Sequence, residues 1–217
     1  MWLDVDSCYQ LSTIGHMTTL TDRQRVLKLA QRRQGVTTRE LVEAGIHRQV
    51  LTRLVKHGEI VRVARGVYQL PAQMAGEHAG LVLASIAVPQ GVICLLSALQ
   101  FHGLGTQLPT EVWIALDRRA RRPRVVYPPL RVLRFSGAAL TEGVEMHGID
   151  GRDVPVYCLE KTLADCFKYR NKIGLDVALE ALREARRERR VDAEALWRYA
   201  RIDRVTNVMR PYLEAVA

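Results

Sequence analysis

The sequence predicts an α+β protein: a small three-helix unit closed by a strand hairpin, then a mixed α/β region that ends in helices. Three observations carry this. Helical periodicity with cap residues recurs three times between residues 22 and 57. Two β-branched runs follow, parted by Arg65-Gly66. Beyond Pro71, short strand-like runs give way after residue 159 to helical periodicity alone. Three helices and a hairpin make a winged helix-turn-helix. The chain therefore divides into an arm over 1–16, the winged unit over 17–70, a linker over 71–76 and an α+β region over 77–217.

Residues 1–16 are polar, slightly acidic and without period. They are expected to be a disordered arm or an expression remnant, Met17 being a plausible first residue. The first helix runs over about 22–34, starts at an Asp/Thr cap, turns Val26, Leu27, Leu29 and Ala30 inward, and ends at Gly35. The second occupies 36–45, where Thr37 and Glu40 have the spacing of a capping box and Gly45 supplies a tight turn. The third spans about 46–57. Ile46, Val50, Leu51, Leu54 and Val55 recur at helical spacing toward a small core, leaving His47, Arg48, Gln49, Thr52, Arg53 and Lys56 on the other side. That outer face carries no acid. Its residue types are those that read base edges and clamp phosphates, so it predicts a DNA recognition helix. The hairpin over 60–70 places Arg62 and Arg65 near its tip.

In the α+β region, 77–88 reads as an apolar helix and 92–102 as a further run ending in Gly103-Leu104-Gly105. Residues 111–116, 131–135 and 154–157 have strand character. From 159 onward four helical segments follow, over 159–170, 175–189, 193–201 and 205–216, the first two separated by Asn171-Lys172 and Gly174.

Charge sharpens the first unit's role. The chain of 217 residues carries a formal net charge of +9. Residues 17–70 hold 11 Lys/Arg against 4 Asp/Glu, whereas 71–217 hold 21 against 17. The excess is concentrated in a quarter of the chain, which favours a local polyanion site over a generally basic surface. Cys8, Cys94, Cys158 and Cys166 show no CxxC pairing, so reduced thiols in a cytoplasmic protein are expected, not zinc or a disulfide framework. No apolar stretch is long enough to span a bilayer and no signal peptide is evident.

Four segments carry a resemblance. Residues 61–68 (VRVARGVY) resemble the wing of AbiEi-type antitoxins and related bacterial regulators. Residues 97–104 (SALQFHGL), followed by Pro109 and Val112-Trp113-Ile114-Ala115, are similar to the start of their antitoxin domain. Residues 159–172 (LEKTLADCFKYRNK) resemble its helical segment. The resemblance implies a winged helix that binds inverted repeats in its own promoter and a second domain that counters a toxin. It implies a nucleotidyltransferase-like toxin encoded alongside, in systems usually classed as type IV, where a stable complex is not required.

Catalysis finds little support. A PD-(D/E)xK nuclease needs an acid two residues before a lysine on one strand face, and none of the five lysines has one. His78, His102 and His147 have no partner at metal-ligand spacing. Ser97 lacks a nucleophile-elbow context, and Gly103-Leu104-Gly105 lacks the lysine of a phosphate loop. Asp150 and Asp153 sit beside Gly151, which reads as a hairpin turn before it reads as a metal site. Glu160, Lys161 and Asp165 read as an i,i+4 ion-pair set, with a ligand- or toxin-contacting face as the alternative.

The chain is therefore expected to be a non-enzyme without cofactor or metal. Two arginine-rich features remain. The helical run Arg183, Arg186, Arg187, Arg189 and Arg190 is interleaved with Glu180, Glu184 and Glu188 and reads as a solvated face. Arg118, Arg119, Arg121, Arg122 and Arg124 have no such compensation and are candidates for nucleic-acid or partner contact. The expected partner of the third helix is double-stranded DNA, with Arg48, Gln49 and Arg53 reading bases and Thr52, Lys56 and His47 positioned on phosphate. A ligand-sensing winged-helix regulator without a toxin, and a metal-dependent nuclease with an atypical site, are the alternative readings.

Overall fold

The structure, a computed structural model, describes residues 20–33, 35–125 and 127–215. The expected arm over 1–16, with Cys8, lies outside them. The fold is α+β, with two sheets and helices throughout.

The first helix, α1 (Asp22–Arg32), begins at Thr21, whose side chain accepts from the Gln24 amide in a capping box. A two-residue strand, β1 (Val36–Thr37), leads into α2 (Thr38–Glu43). Thr37 caps α2, and the Thr37–Glu40 box expected from the spacing is formed. Helix α3 (Arg48–Lys56) starts two residues later than expected, with His47 as its cap. Gly45, at φ +71, closes α2: the Gly45 amide donates to Val42 O and the Ile46 amide to Leu41 O. That Schellman pairing needs a left-handed residue at this point and sets the exit angle toward α3.

Strands β2 (Val61–Ala64) and β3 (Val67–Gln69) form the expected hairpin. The sheet order is β1-β3-β2, both pairings antiparallel, so β1 adds a third strand that was not foreseen. Two residues are too few to show alternation. Val26, Ala30, Val36, Leu41, Ile46, Leu51, Leu54 and Ile60 fill one small core. Val55, expected inside, is 39% exposed. Helical periodicity carries it toward Arg48 and Thr52, away from the buried centre at Leu51 and Leu54.

The stretch read as a linker is a 3-10 turn, Pro71–Ala75, and it is tied down. Gln73 Nε2 donates to Ala30 O (2.9 Å) and Gln31 O (3.1 Å), capping the last carbonyls of α1.

The larger sheet follows α4 (Ala79–Ala87) and comprises β4 (Val92–Ile93), β5 (Val112–Asp117), β6 (Leu130–Phe135), β7 (Val144–Ile149) and β8 (Arg152–Tyr157). Its order is β6-β5-β4-β8-β7, with β5–β6 and β4–β8 parallel and the other pairs antiparallel. Helix α5 (Leu95–Phe101) follows β4, and the short α6 (Ala138–Thr141) precedes β7. The C-terminal helices are α7 (Leu159–Lys168), α8 (Arg170–Ile173), α9 (Leu175–Arg187), α10 (Ala193–Ile202) and α11 (Thr206–Ala215). Alternate residues of β5 serve opposite faces, as the two-residue period of a strand requires. Trp113 and Ala115 join the core formed with α7, α9, α10 and α11, whereas Val112, Ile114 and Leu116 join Leu81, Val82 and Ala84 of α4. Strand β7 was missed because it is an edge strand with little buried surface and a glycine inside.

The Lys161–Asp165 pair forms as its spacing predicts, but inside the core. Both side chains are fully buried. Lys161 Nζ bonds Asp165 Oδ1 and lies 3.3 Å from Asp203 Oδ2, while Lys168 Nζ lies 2.9 Å from Asp203 Oδ1. The Lys161 ammonium also sits 4.8 Å from the Tyr157 ring centroid and 5.1 Å from that of Phe135. Burial pushes the Asp165 carboxyl well above the usual carboxylate range, against the pull of Lys161. Each charge in this network faces an opposite one, while Asp165 Oδ2 is left without a hydrogen-bond partner among the described residues. Glu160 stands apart and accepts from the Asp192 amide at 3.0 Å.

Candidate nucleic-acid interface

Helix α3 buries Leu51 and Leu54 and turns the opposite side to solvent. On a helix of about 3.6 residues per turn, Gln49, Thr52 and Lys56 lie opposite that buried edge, with Arg48 and Arg53 on the two flanks. All five are exposed, as is His47. Among the described residues, the side chains of Arg48, Gln49, Thr52, Arg53 and Lys56 make no hydrogen bond or ion pair. His47 differs: as the cap its Nδ1 accepts from the Gln49 amide at 3.3 Å, leaving Nε2 as the ring's donor. The cleft between α1 and α3 is lined by Asp22, Arg23, Arg53 and Glu59 among others. Both acids are already engaged, Asp22 by Arg25 at 3.1 Å and Glu59 by both arms of Arg23. Arg53 is thus not drawn back onto the protein.

The hairpin presents Arg62 and Arg65 to solvent. Arg62 makes one long contact, Nε to Ala64 O at 3.4 Å, and Arg65 makes none through its side chain among the described residues. The turn is held at its base, where the Thr38 amide donates to Gly66 O at 2.8 Å. On its inner face, Val63, Ala64 and Val67 pack against Leu83 of α4.

The 118–124 loop joins β5 to β6. Arg118, Arg119, Arg121, Arg122 and Arg124 are all exposed, and among the described residues none of these guanidiniums has a partner. Arg134 fixes the start of the loop by donating to Asp117 O and Ala120 O, each at 2.8 Å. The helical arginine run is different in kind. Arg187 and Arg190 pair with Glu184 and Glu188, Arg186 donates to Leu213 O, and Arg190 also reaches His102 O.

One residue of this region escaped sequence reading altogether. Arg152, at the start of β8, donates from Nη1 to Glu40 Oε1 (2.6 Å) and from Nη2 to Glu40 Oε2 (3.0 Å). It also donates to Gly35 O (2.8 Å) and, from Nε, to Arg33 O (3.1 Å). Glu40 meanwhile keeps its capping contacts to the Thr37 amide and hydroxyl. Burial acts to raise the Glu40 carboxyl, but Arg152 and the Thr37 donors outweigh it and hold its pKa at about 2. Nothing local signals this contact, because its partners lie 112 residues apart.

Of the residues considered for catalysis, His78, His102 and His147 gather around the Phe101 ring, with centroids 5.5, 5.5 and 4.7 Å from it. Asp150 and Gly151 form a two-residue hairpin turn, with Ile149 paired to Arg152 across it. Among the described residues no group of three or more His, Cys, Asp or Glu is arranged to hold a metal. Cys94, Cys158 and Cys166 are free and buried. No helix among the described residues is long and apolar enough to cross a membrane.

The architecture has a counterpart among solved structures. The crystal structure of the RV2827C protein from Mycobacterium tuberculosis superposes with a TM-score of 0.58 at 19% identity, over 82% of this chain and 70% of that one. At that identity the likeness is one of fold. No curated protein matches the chain. The segment that carries the exposed basic face is more specific. Residues 24–71 match the model of a family described as "Transcriptional regulator, AbiEi antitoxin". Residues 61–68, which resemble the wing of that family, lie within the matched segment. The match stops short of the motifs at 97–104 and 159–172.

Proposed function

We propose that the chain is a DNA-binding transcriptional autorepressor of the AbiEi antitoxin type, acting in the cytoplasm. Its N-terminal unit is a winged helix-turn-helix in which α3 enters the major groove and the β2–β3 hairpin is the wing. The single observation that carries this is the outer side of α3: exposed, free of acids, and lined with side-chain donors of which Arg48, Gln49, Thr52, Arg53 and Lys56 have no partner among the described residues. Arg48 and Arg53 suit guanine, Gln49 suits adenine, and Thr52, Lys56 and His47 suit phosphate. Arg62 and Arg65 reach the backbone or the minor groove beside it. The family match over residues 24–71 supports a regulator that binds DNA. The arginines of the 118–124 loop, without a partner among the described residues, offer the larger sheet a further site for a polyanion.

The region after residue 77 is the antitoxin part in this reading and opposes a nucleotidyltransferase-like toxin from a neighbouring gene. Support for that role comes from the motifs at 97–104 and 159–172. The region works by binding, with no metal or cofactor and no reaction of its own.

Fluorescence anisotropy with the chain's own upstream duplex tests the DNA reading. Binding is expected to be tighter to that duplex than to a random one of equal length and to weaken steeply with salt. Indifference to both duplexes at low ionic strength would overturn it. Co-expression with the adjacent gene tests the second role: growth rescued by the full chain supports it, and no rescue from a demonstrably toxic neighbour overturns it.

A further inference from the structure

We propose that Arg152 is a positioning residue for DNA binding, clamping the α1–α2 junction, and through it the α3 face and the hairpin tip, to the larger sheet. The inference rests on the DNA-binding reading above. Arg152 itself cannot touch DNA in this arrangement, since its side chain is only 16% exposed and its donors face inward.

The contact is built to hold an angle. The guanidinium spans two helix ends of opposite polarity: the C-terminus of α1, where Arg33 O and Gly35 O accept, and the N-terminus of α2, where Glu40 sits. A cation suits the first end and a carboxylate the second. The two-pronged pairing with Glu40 is planar and directional, which a lysine would not reproduce. The support beneath it is equally fixed. Asp150 and Gly151 both adopt left-handed backbone, at φ 51 and 73. A Cβ on Gly151 would come within 2.8 Å of Arg32 O, so the hairpin tip lies directly against the end of α1.

From this junction the constraint passes in two directions. The α2 residue next to the box, Thr38, holds the wing turn through its amide to Gly66 O. Seven residues further along, α2 hands over to α3 through Gly45. Releasing Glu40 from Arg152 loosens α2 and the groove-facing helix against the larger sheet, leaving the hairpin's packing on Leu83 and the Gln73 contacts to α1 as the remaining ties.

The test pairs distance measurement with binding on the full chain. Spin labels at K28C and R201C, in a C8S background, report the angle between α1 and α10 by pulsed electron resonance. The native chain is expected to give one narrow distance distribution and R152A a broad one. R152A should bind the upstream duplex about tenfold more weakly, as when the competent orientation falls to a tenth of the population. Its salt slope should stay unchanged because no phosphate contact is lost. R152K should not restore binding. E40Q keeps a capping side chain while removing the charge, and it carries the same two readouts should R152A fail to fold.

Unchanged affinity in R152A and E40Q overturns the inference, whether the distances broaden or not. A salt slope lowered by about one would make Arg152 a direct phosphate contact and overturn it too. A native chain that binds no duplex overturns the DNA reading instead, whereas native and R152A chains that bind equally overturn the clamp alone.

Discussion

Helices α3 and α7 each carry cations, and they treat them in opposite ways. On α3, Arg48, Arg53 and Lys56 stand in solvent without a partner among the described residues. On α7, Lys161 is fully buried and shared between Asp165 and Asp203, and Lys168 is also tied to Asp203. The first arrangement leaves charge available to a ligand; the second consumes it within the fold. Number of cations does not separate a binding face from a structural one. Whether each cation already has an answer inside the molecule does.

The largest expected effect tests the α7 side of this contrast. Lys161→Met removes the cation between two carboxylates and should cost about 3–5 kcal/mol in urea unfolding. Unchanged stability would mean that the network does not hold the core together. Next comes the clamp. The Glu40 carboxyl lies lower in the folded chain, at about 2, than in an unfolded one. Its contribution is therefore fully present above the unfolded value near ~4.3 and is lost as pH falls toward the folded value. On the order of 3 kcal/mol should disappear across that window, and E40Q should flatten this part of the acid limb.

On α3 the expectation runs the other way. Arg53→Ala should leave stability within about 0.5 kcal/mol of native, because its side chain supports nothing in the fold. The same substitution should weaken the specific duplex by ~1–3 kcal/mol and relax base preference at one position. Equal losses on specific and random DNA would remove Arg53 from the readers. Arg65→Ala gives the smallest change: every duplex should weaken alike, with the salt slope lower by about one.

Much of the first unit was legible in sequence because its determinants are local. The Thr37–Glu40 box lies within one helical turn, and Arg65-Gly66 marks the hairpin by itself. The acid-free side of α3 follows from periodicity alone. What could not be read is non-local. Strand β1 is a strand only because β3 lies beside it, and β4 only because β5 and β8 do. Lys161 and Asp165 show the spacing of an ordinary surface pair, and nothing near them in sequence announces Asp203, Tyr157 and Phe135 closing over them. Arg152 follows a hairpin turn like many other arginines, and its partner Glu40 is fully explained by its own cap. The DNA roles assigned along α3, the wing and the 118–124 loop rest on exposure and chemistry, which the anisotropy series addresses residue by residue.

Strand β6 ends the larger sheet, with one backbone edge unpaired among the described residues. An open edge invites another chain to add on as a further strand, which is how many β proteins begin to form fibrils. Here Pro129 comes immediately before the strand, and Arg131 and Arg134 lie along it. Arg131 lies 3.8 Å from Glu111 on one face, and Arg134 is bound to the carbonyls of Asp117 and Ala120. Pro129, which has no amide to donate, and the charged side chains beyond it disfavour such an addition.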